Sequence, residues 1–448
     1  MHALRDRLAG CWGLVVRVWG ERRSRSFALA VLVAFALRLA WAIWATQSIS
    51  VSTTDPAQYL AATRAFASLS TPEIYGNPTA FLPPGYPLFL EPFYALADLT
   101  GLVSANFAAS LVNAVLGTVT VVLTARLAEE WIGARSRNIA AWIMALAAGH
   151  VFYTSVILSE TLFATMTMAI LYAATVLVRR SGDLPRRKLL ILGVFIGWAM
   201  LVRTPGAVLV LAPALTLRAT HGSWSGAART IGWVLLGTLV LLVPWTVRNA
   251  VEVGVAVPIS TNNAAFLCGG HSDYATGGFD RTPEALEHCY GGGPYDRDDA
   301  DEPRWYRETT SEAIGWAVRH PIDEVRLTFW KTYLTMADDG QALSDAEDFG
   351  AQPLASDRWR AVLRTLANGW HWGVLAFAAA GLWWVRACRR ALPLWVTAVA
   401  YLVAVWGGLA LPRYHHAIMP ILVVFAAAAV VAVARPEDAA QTAEVPAR

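Results

Sequence analysis

The chain has 448 residues, 56% of them hydrophobic and 15% charged, with a net charge of +3 and a mean hydropathy of +0.43. Soluble domains carry about 25% charged residues, so the composition excludes an ordinary soluble enzyme. The small net charge matters less than where the charges lie, and no nucleic-acid partner is expected. Apolar runs of membrane-spanning length recur along the chain, which predicts an all-α polytopic membrane protein.

Residues 1–26 read as a basic cytoplasmic leader with Arg5, Arg7, Arg17, Arg22, Arg23 and Arg25. The apolar run that follows is too long for a cleaved signal peptide and reads as an anchor. Within the leader, Gly10–Gly20 has the look of a short amphipathic helix on the inner surface. Ten transmembrane helices are predicted, near 27–46, 104–124, 138–156, 160–178, 188–203, 205–217, 230–247, 370–385, 391–410 and 412–434. The 205–217 span is short and flanked by proline, and is expected to be tilted or broken.

Charge placement orients this map. Arg126, Arg135 and Arg137, then Arg179, Arg180, Arg186, Arg187 and Lys188, then Arg218 and Arg229, then Arg386, Arg389 and Arg390 fall on the even connections. Loop 47–103 has Arg64 as its one basic residue. Both termini are therefore expected in the cytoplasm, including the tail 435–448. The core would run over 27–247 with its first outer loop at 47–103, followed by a large outer segment at 248–369 and a C-terminal helical part at 370–434. The first outer loop should hold interfacial helices at 56–69 and 86–97. The large outer segment has 20 acidic residues against 11 basic ones and should be small and mainly helical, with helices at 305–318 and 321–336. The 20 tryptophans suit broad interfacial belts. Cys11 and Cys388 fall on the cytoplasmic side; Cys268 and Cys289 share the outer segment, either as a disulfide or as two buried thiols.

Ionisable groups at membrane depth cost about 2.5–3.5 kcal/mol or more, so they mark function. Asp55 follows the first span, Glu160 opens the fourth, Arg203 lies between the fifth and sixth, and Arg248 ends the seventh. Arg413, His415 and His416 lie between the ninth and tenth. All map to one leaflet. Arg38, near the middle of the first span, is the exception, and would snorkel or pair inside the bundle. Each residue has a plainer role open to it. Asp55 before Pro56 makes a good helix N-cap, Glu160 can cap its own helix, and Arg248 and Arg413 can anchor at the interface. His415-His416 resembles half a metal site with no visible partner cluster, and the run Asp296-Arg297-Asp298-Asp299-Ala300-Asp301-Glu302 lacks the glycine and terminal glutamate of a calcium loop and reads as solvated. As a set, the arginines and carboxylates suggest a site for an anionic, lipid-borne substrate, because the guanidinium fork suits phosphate. No glycine-rich phosphate loop of the nucleotide-binding kind occurs on the cytoplasmic side, which argues against an ATP- or nucleotide-sugar-driven reaction there.

The order of several short motifs resembles the bacterial GT-C integral-membrane glycosyltransferases of the glycosyltransferase family 39 group. That group includes protein O-mannosyltransferases and the aminoarabinose and galacturonic-acid transferases of lipid A and lipopolysaccharide. The motifs are Asp55-Pro56-Ala57-Gln58-Tyr59, Pro83-Pro84-Gly85-Tyr86-Pro87-Leu88, Leu158-Ser159-Glu160 and Arg203-Thr204-Pro205. Pro244-Trp245-Thr246-Val247-Arg248-Asn249, Val257-Pro258-Ile259-Ser260-Thr261-Asn262 and Pro412-Arg413-Tyr414 complete the series. The resemblance implies a GT-C-like bundle in the bacterial inner membrane. It implies inverting transfer of a sugar from a polyprenyl-phosphate donor to a lipid, glycan or protein acceptor on the outer face. Asp55 would then be the catalytic base, with Arg203, Arg248 and Arg413 meeting the lipid phosphate, and Tyr59, Tyr86, Glu160 and His415 lining the substrate site. Many relatives have an acidic pair in the first loop, whereas Pro56 follows Asp55 here, so a divalent metal stays open but is not favoured, and no cofactor is firmly predicted. The alternative is a transporter or flippase of a lipid-linked or anionic solute; against it, no internal repeat is visible and the polar groups sit near one face rather than at the midplane.

Overall fold

The computed structural model describes residues 2–46, 55–180, 184–222, 224, 226–296, 300–350 and 353–434, with the backbone alone up to residue 23. The side chains of residues 1–23, Cys11 among them, with Ser52–Thr54, residues 297–299 of the acidic run and the tail 435–448, lie outside the described residues. The first helix, α1 (His2–Ala45), runs unbroken through the basic leader and the first apolar run. Loop 47–103 contains α2 (Asp55–Ala67), a two-residue antiparallel β-ribbon at 73–74 and 77–78, and α3 (Gly85–Thr100). Both helices predicted for this loop are present.

The core continues with α4 (Ala105–Trp131), α5 (Ala134–Ala145), the short α6 (Ala148–Phe152), α7 (Glu160–Arg180) and α8 (Arg186–Val202). The proline-flanked sixth span is broken as expected: residues 204–211 are 3-10 helix and α9 (Ala212–His221) follows. The seventh is α10 (Ala227–Arg248), extended by a π-helical turn at 249–253. The segment after it holds α11 (Asn263–Gly270), α12 (Pro283–Tyr290), α13 (Glu302–Arg319), α14 (Pro321–Ala337) and α15 (Gln341–Asp348). The chain then forms α16 (Asp357–Trp384), α17 (Arg386–Arg390) and α18 (Leu392–Trp406). A 3-10 turn at 412–417 leads into α19 (Met419–Ala434). The result is a polytopic membrane bundle with almost no strand. By length and apolarity, four described helical stretches can each cross a membrane: 24–45, 105–131, 160–180 and 227–253. The apolar helices 392–406 and 419–434 are shorter. The remaining predicted spans are helical but broken or more polar.

Small residues let these helices approach, since van der Waals contact drives association in lipid. Gly193 and Gly197 on α8 face Gly237 and Thr238 on α10, and a Cβ at 193 would lie 2.1 Å from the Val234 carbonyl. Thr238 Oγ1 donates to the Gly193 carbonyl at 3.2 Å. Gly381 on α16 likewise admits the Phe425 carbonyl of α19. Arg38 is wholly buried and donates to the carbonyls of Ala34, Ala145 and Met144 at 3.1–3.3 Å, so it caps the end of α5. It pairs inside the bundle and does not snorkel. Glu302 departs from the solvated loop expected for 296–302: it is buried, and its carboxylate accepts from the Ala80 amide, Thr79 and Thr261 at 2.5–3.0 Å.

Candidate active site

At the end of the bundle that carries loop 47–103 and the 249–356 segment lies a cavity of about 1980 Å³. Its wall joins Asp55 and Tyr59 of α2, Glu160 of α7, Arg203 and the 3-10 residues after α8, and Arg413 and Tyr414 before α19. Ligand sites for small molecules run to about 300–1,000 Å³, so this one has room for a substrate with two large parts.

A chain of four charges crosses the wall. Arg413 Nη2 lies 2.7 Å from Asp55 Oδ2, and its Nε is 3.5 Å from Glu160 Oε1. Arg203 Nη1 is 2.7 Å from the same Glu160 oxygen and donates to Ser159 Oγ at 3.2 Å. Glu160 is buried, whereas the Asp55 side chain is 41% exposed. Glu160 Oε2 has no hydrogen-bond partner among the described residues. Tyr414 lies beneath the Arg203 guanidinium, 5.1 Å from ring centre to charge. Each charge stands at or beside the start or end of a helix, because there the backbone leaves the helical ladder and can aim a side chain into the opening. Asp55 is the first residue of α2, with Pro56 at the next position, where a missing amide costs nothing. Arg203 has extended backbone at the end of α8, and the 3-10 helix with Thr204-Pro205 turns away from it.

The Pro-Pro-Gly-Tyr motif supports Arg203 from behind. A Cβ at Gly85 would come within 2.6 Å of the Leu201 and Val202 backbone, and Trp198 Nε1 donates to the Gly85 carbonyl at 3.1 Å. Only glycine lets α3 start this close to the end of α8. Tyr86 is wholly buried and meets Tyr59 edge-to-face at 5.0 Å, so it backs the wall and is not part of its lining. Tyr59 does line the cavity; burial first, and then the Asp55 charge, push its phenol up to about 12, with a Ser159 hydrogen bond opposing.

Arg248 is not brought to this site. It donates to the Thr79 carbonyl at 2.8 Å and to Asn249 Oδ1, pairs with Glu252 at 2.9 Å and covers the Trp245 ring. With Glu302, and with Thr261 N donating to the Ala80 carbonyl at 3.0 Å, it joins loop 79–81 to the segment after α10. His415 also lies behind the wall, bonded to Thr335 and Asp339. Cys268 and Cys289 form a disulfide between α11 and α12, with Cα atoms 5.6 Å apart, and Tyr290 next to it lines the cavity. Cys388 is a free, buried thiol. Sequence reasoning missed Tyr290, Tyr401 and Asp345, all in the lining, and quoted Tyr414 only within a motif, without a role. Burial raises the Asp345 carboxyl above its ordinary range, with the Arg413 charge opposing, and Tyr153 and Gln341 donate to it at 2.9 and 2.8 Å. Asp345 could have been flagged only as one acid among many in an acidic segment.

Residues 82–247, a little over a third of the chain, match the family model described as dolichyl-phosphate-mannose-protein mannosyltransferase. No protein of curated function matches by sequence. Among solved structures, the oligosaccharyltransferase of Archaeoglobus fulgidus in complex with zinc and sulfate is similar over 93% of this chain and 50% of its own, at 14% identity and a TM-score of 0.52. The oligosaccharyltransferase AglB from the same organism, with an inhibitory peptide and a dolichol-phosphate, gives 95%, 52%, 14% and 0.51. ArnT from Cupriavidus metallidurans, bound to undecaprenyl phosphate, covers 94% of this chain and 80% of its own at 14% identity, with a TM-score of 0.41. The chain thus spans about half the length of the oligosaccharyltransferases that it matches.

Proposed function

We propose, from the premise that this chain has the polytopic GT-C fold of membrane glycosyltransferases, that it transfers a sugar from a polyprenyl-phosphate donor to an acceptor of the cell envelope. The observation that carries this reading is the exposed Asp55 carboxylate held 2.7 Å from Arg413 in the wall of a cavity, in one chain of ion pairs with Glu160 and Arg203. An acceptor hydroxyl attacks the anomeric carbon with inversion, its proton passes to Asp55, and the C–O bond to the lipid phosphate breaks with its electron pair on the phosphate oxygen. Base catalysis of this kind is typically worth about 10²–10⁴ in rate. Arg203 and Arg413 meet the charge that grows on the leaving phosphate, and Glu160 holds both guanidinium groups in place between turnovers. Tyr59 and Tyr290 flank the carboxylate and pack against the sugar. The site faces the outer side of a bacterial plasma membrane, because basic residues crowd the connections at the opposite end of the bundle.

The test is transfer from a radiolabelled polyprenyl-phosphate sugar to an envelope extract by purified protein in lipid. Wild type is expected to transfer label, and Asp55→Asn to lose at least 10²-fold in kcat while still binding donor. Equal transfer by the two would remove Asp55 from the base role.

A further inference from the structure

A buried polar cluster lies one layer behind the cavity wall, where three distant elements meet. His415 belongs to the 3-10 turn that carries Arg413, Asp339 to the link between α14 and α15, and His371 to α16. All three are at most 2% exposed. One carboxylate oxygen of Asp339 and one ring nitrogen each of His371 and His415 all lie within 4.8 Å of one another.

Backbone carbonyls fix the tautomer of each ring. His415 Nδ1 is 2.7 Å from the Thr335 carbonyl, which can only accept, so Nδ1 holds the hydrogen. In the neutral ring, Nε2 is left with a lone pair, and it faces Asp339 Oδ1 at 3.0 Å. His371 Nε2 is 2.8 Å from the Met336 carbonyl, so it too holds a hydrogen. Its Nδ1 keeps the lone pair and is buried without a hydrogen-bond partner among the described residues. Asp339 is held in place separately: Oδ2 accepts from the Gly149 amide at 3.1 Å, and the Asp339 amide donates to Asn368 Oδ1 at 2.8 Å. A Cβ at 149 would lie 2.1 Å from Asp339 Oδ1, so glycine is what lets the carboxylate reach the cluster.

With His415 neutral, its Nε2 and Asp339 Oδ1 are two electron-rich atoms facing each other where water is excluded, and the His371 ring, 4.5 Å from the His415 ring between centres, brings a nitrogen to the same place. Imidazoles turned by hydrogen bonds to backbone carbonyls, with the free nitrogens pointing inward, are how proteins present ligands to a metal. Two imidazoles and one carboxylate suit zinc-class cations, and three protein ligands leave a fourth position for water. A tetrahedral ion with bonds of about 2.0–2.1 Å needs ligand atoms roughly 3.4 Å apart, a spacing that small side-chain rotations reach from here.

We propose that Asp339, His371 and His415 bind one zinc-class divalent cation, which clamps the 412–417 turn to α14 and α16 and so positions Arg413 at the cavity. Binding itself does not depend on the glycosyltransferase reading, and its test uses no activity. Full-length protein in nanodiscs, stripped with a chelator, is titrated with Co²⁺ and then with Zn²⁺. The expected result is one equivalent of Co²⁺ per chain, with the visible bands of a four-coordinate site, which Zn²⁺ abolishes. Zn²⁺ should also raise the melting temperature, since it binds the folded chain. His371→Gln and Asp339→Asn should lose the bands, whereas His416→Gln, whose ring stacks on His150 at 3.5 Å outside the trio, should keep them. If the variants fail to fold, the wild-type titration decides. Absence of stoichiometric uptake by wild type, or unchanged uptake by folded His371→Gln, would overturn the proposal and leave Asp339 and His415 joined by a proton.

Discussion

Arg203, Arg248 and Arg413 look alike in sequence, each at the edge of an apolar run, yet only two of them reach the cavity. The difference comes from partners far away in the chain. Arg413 meets Asp55 and Glu160, whereas Arg248 is taken up by the Thr79 carbonyl and Glu252. Replacing either cavity arginine by Gln is expected to lower kcat for sugar transfer by about 10²–10³, the usual cost of one donor to a developing anion. Arg248→Gln should leave kcat within a few-fold and instead lower the melting temperature, because the Thr79 carbonyl loses its donor. Steady-state rates and thermal unfolding of the three purified variants check this, and equal kcat losses would contradict the separation. Asp55, Glu160, Arg203 and Arg413 were legible in the sequence because an ionisable residue beside a membrane span stands out on energetic grounds. The cluster around His415 was not, since Asp339 and His415 are 76 residues apart and neither neighbourhood has a spacing that foretells the other.

Among the elements, the helices themselves were readable because apolar runs of membrane-spanning length admit few alternatives. The broken sixth span was readable too, from its prolines. What hydropathy does not encode is which helices touch; glycine spacing does so in part. Gly193 and Gly197 mark the α8 face that takes α10, and this contact sets where α8 ends and thus where Arg203 begins. Gly193→Val should therefore force the two helices apart, with a loss of about 1–3 kcal/mol or more from overpacking and a lower melting temperature in detergent. Gly232→Ala, on the same α10 with nothing within 4 Å of the added Cβ, is the matched control and should be neutral or stabilising by about 0.5–1 kcal/mol. A melting temperature for Gly193→Val equal to that of the control would show that the approach is not tight. In the 249–356 segment, helices were foreseen at 305–318 and 321–336, but their roof over the cavity was not, since it depends on the disulfide and on the buried Glu302.

For the molecule as a whole, the arrangement of charge has a consequence for how substrate arrives. Along the wall, the charges of Asp55, Arg413, Glu160 and Arg203 cancel among themselves before anything binds. The rest of the lining, with Asp273, Asp323, Asp345 and Asp348 against Arg281 and Arg326, adds no excess of positive charge that would draw an anionic donor out of the water. A cationic cleft draws an anionic ligand from solution and weakens as salt rises; this one has no such pull to lose. A donor anchored by a polyprenyl chain needs none, since it is already concentrated in the bilayer and reaches the opening by lateral diffusion. The apparent KM for the lipid donor, expressed as mole fraction in the membrane, is therefore expected to change less than about threefold between 50 mM and 500 mM salt. A steep rise across that range would mean that the four charges do not cancel at the surface. Screening reaches what faces the water, and this site trades in two dimensions.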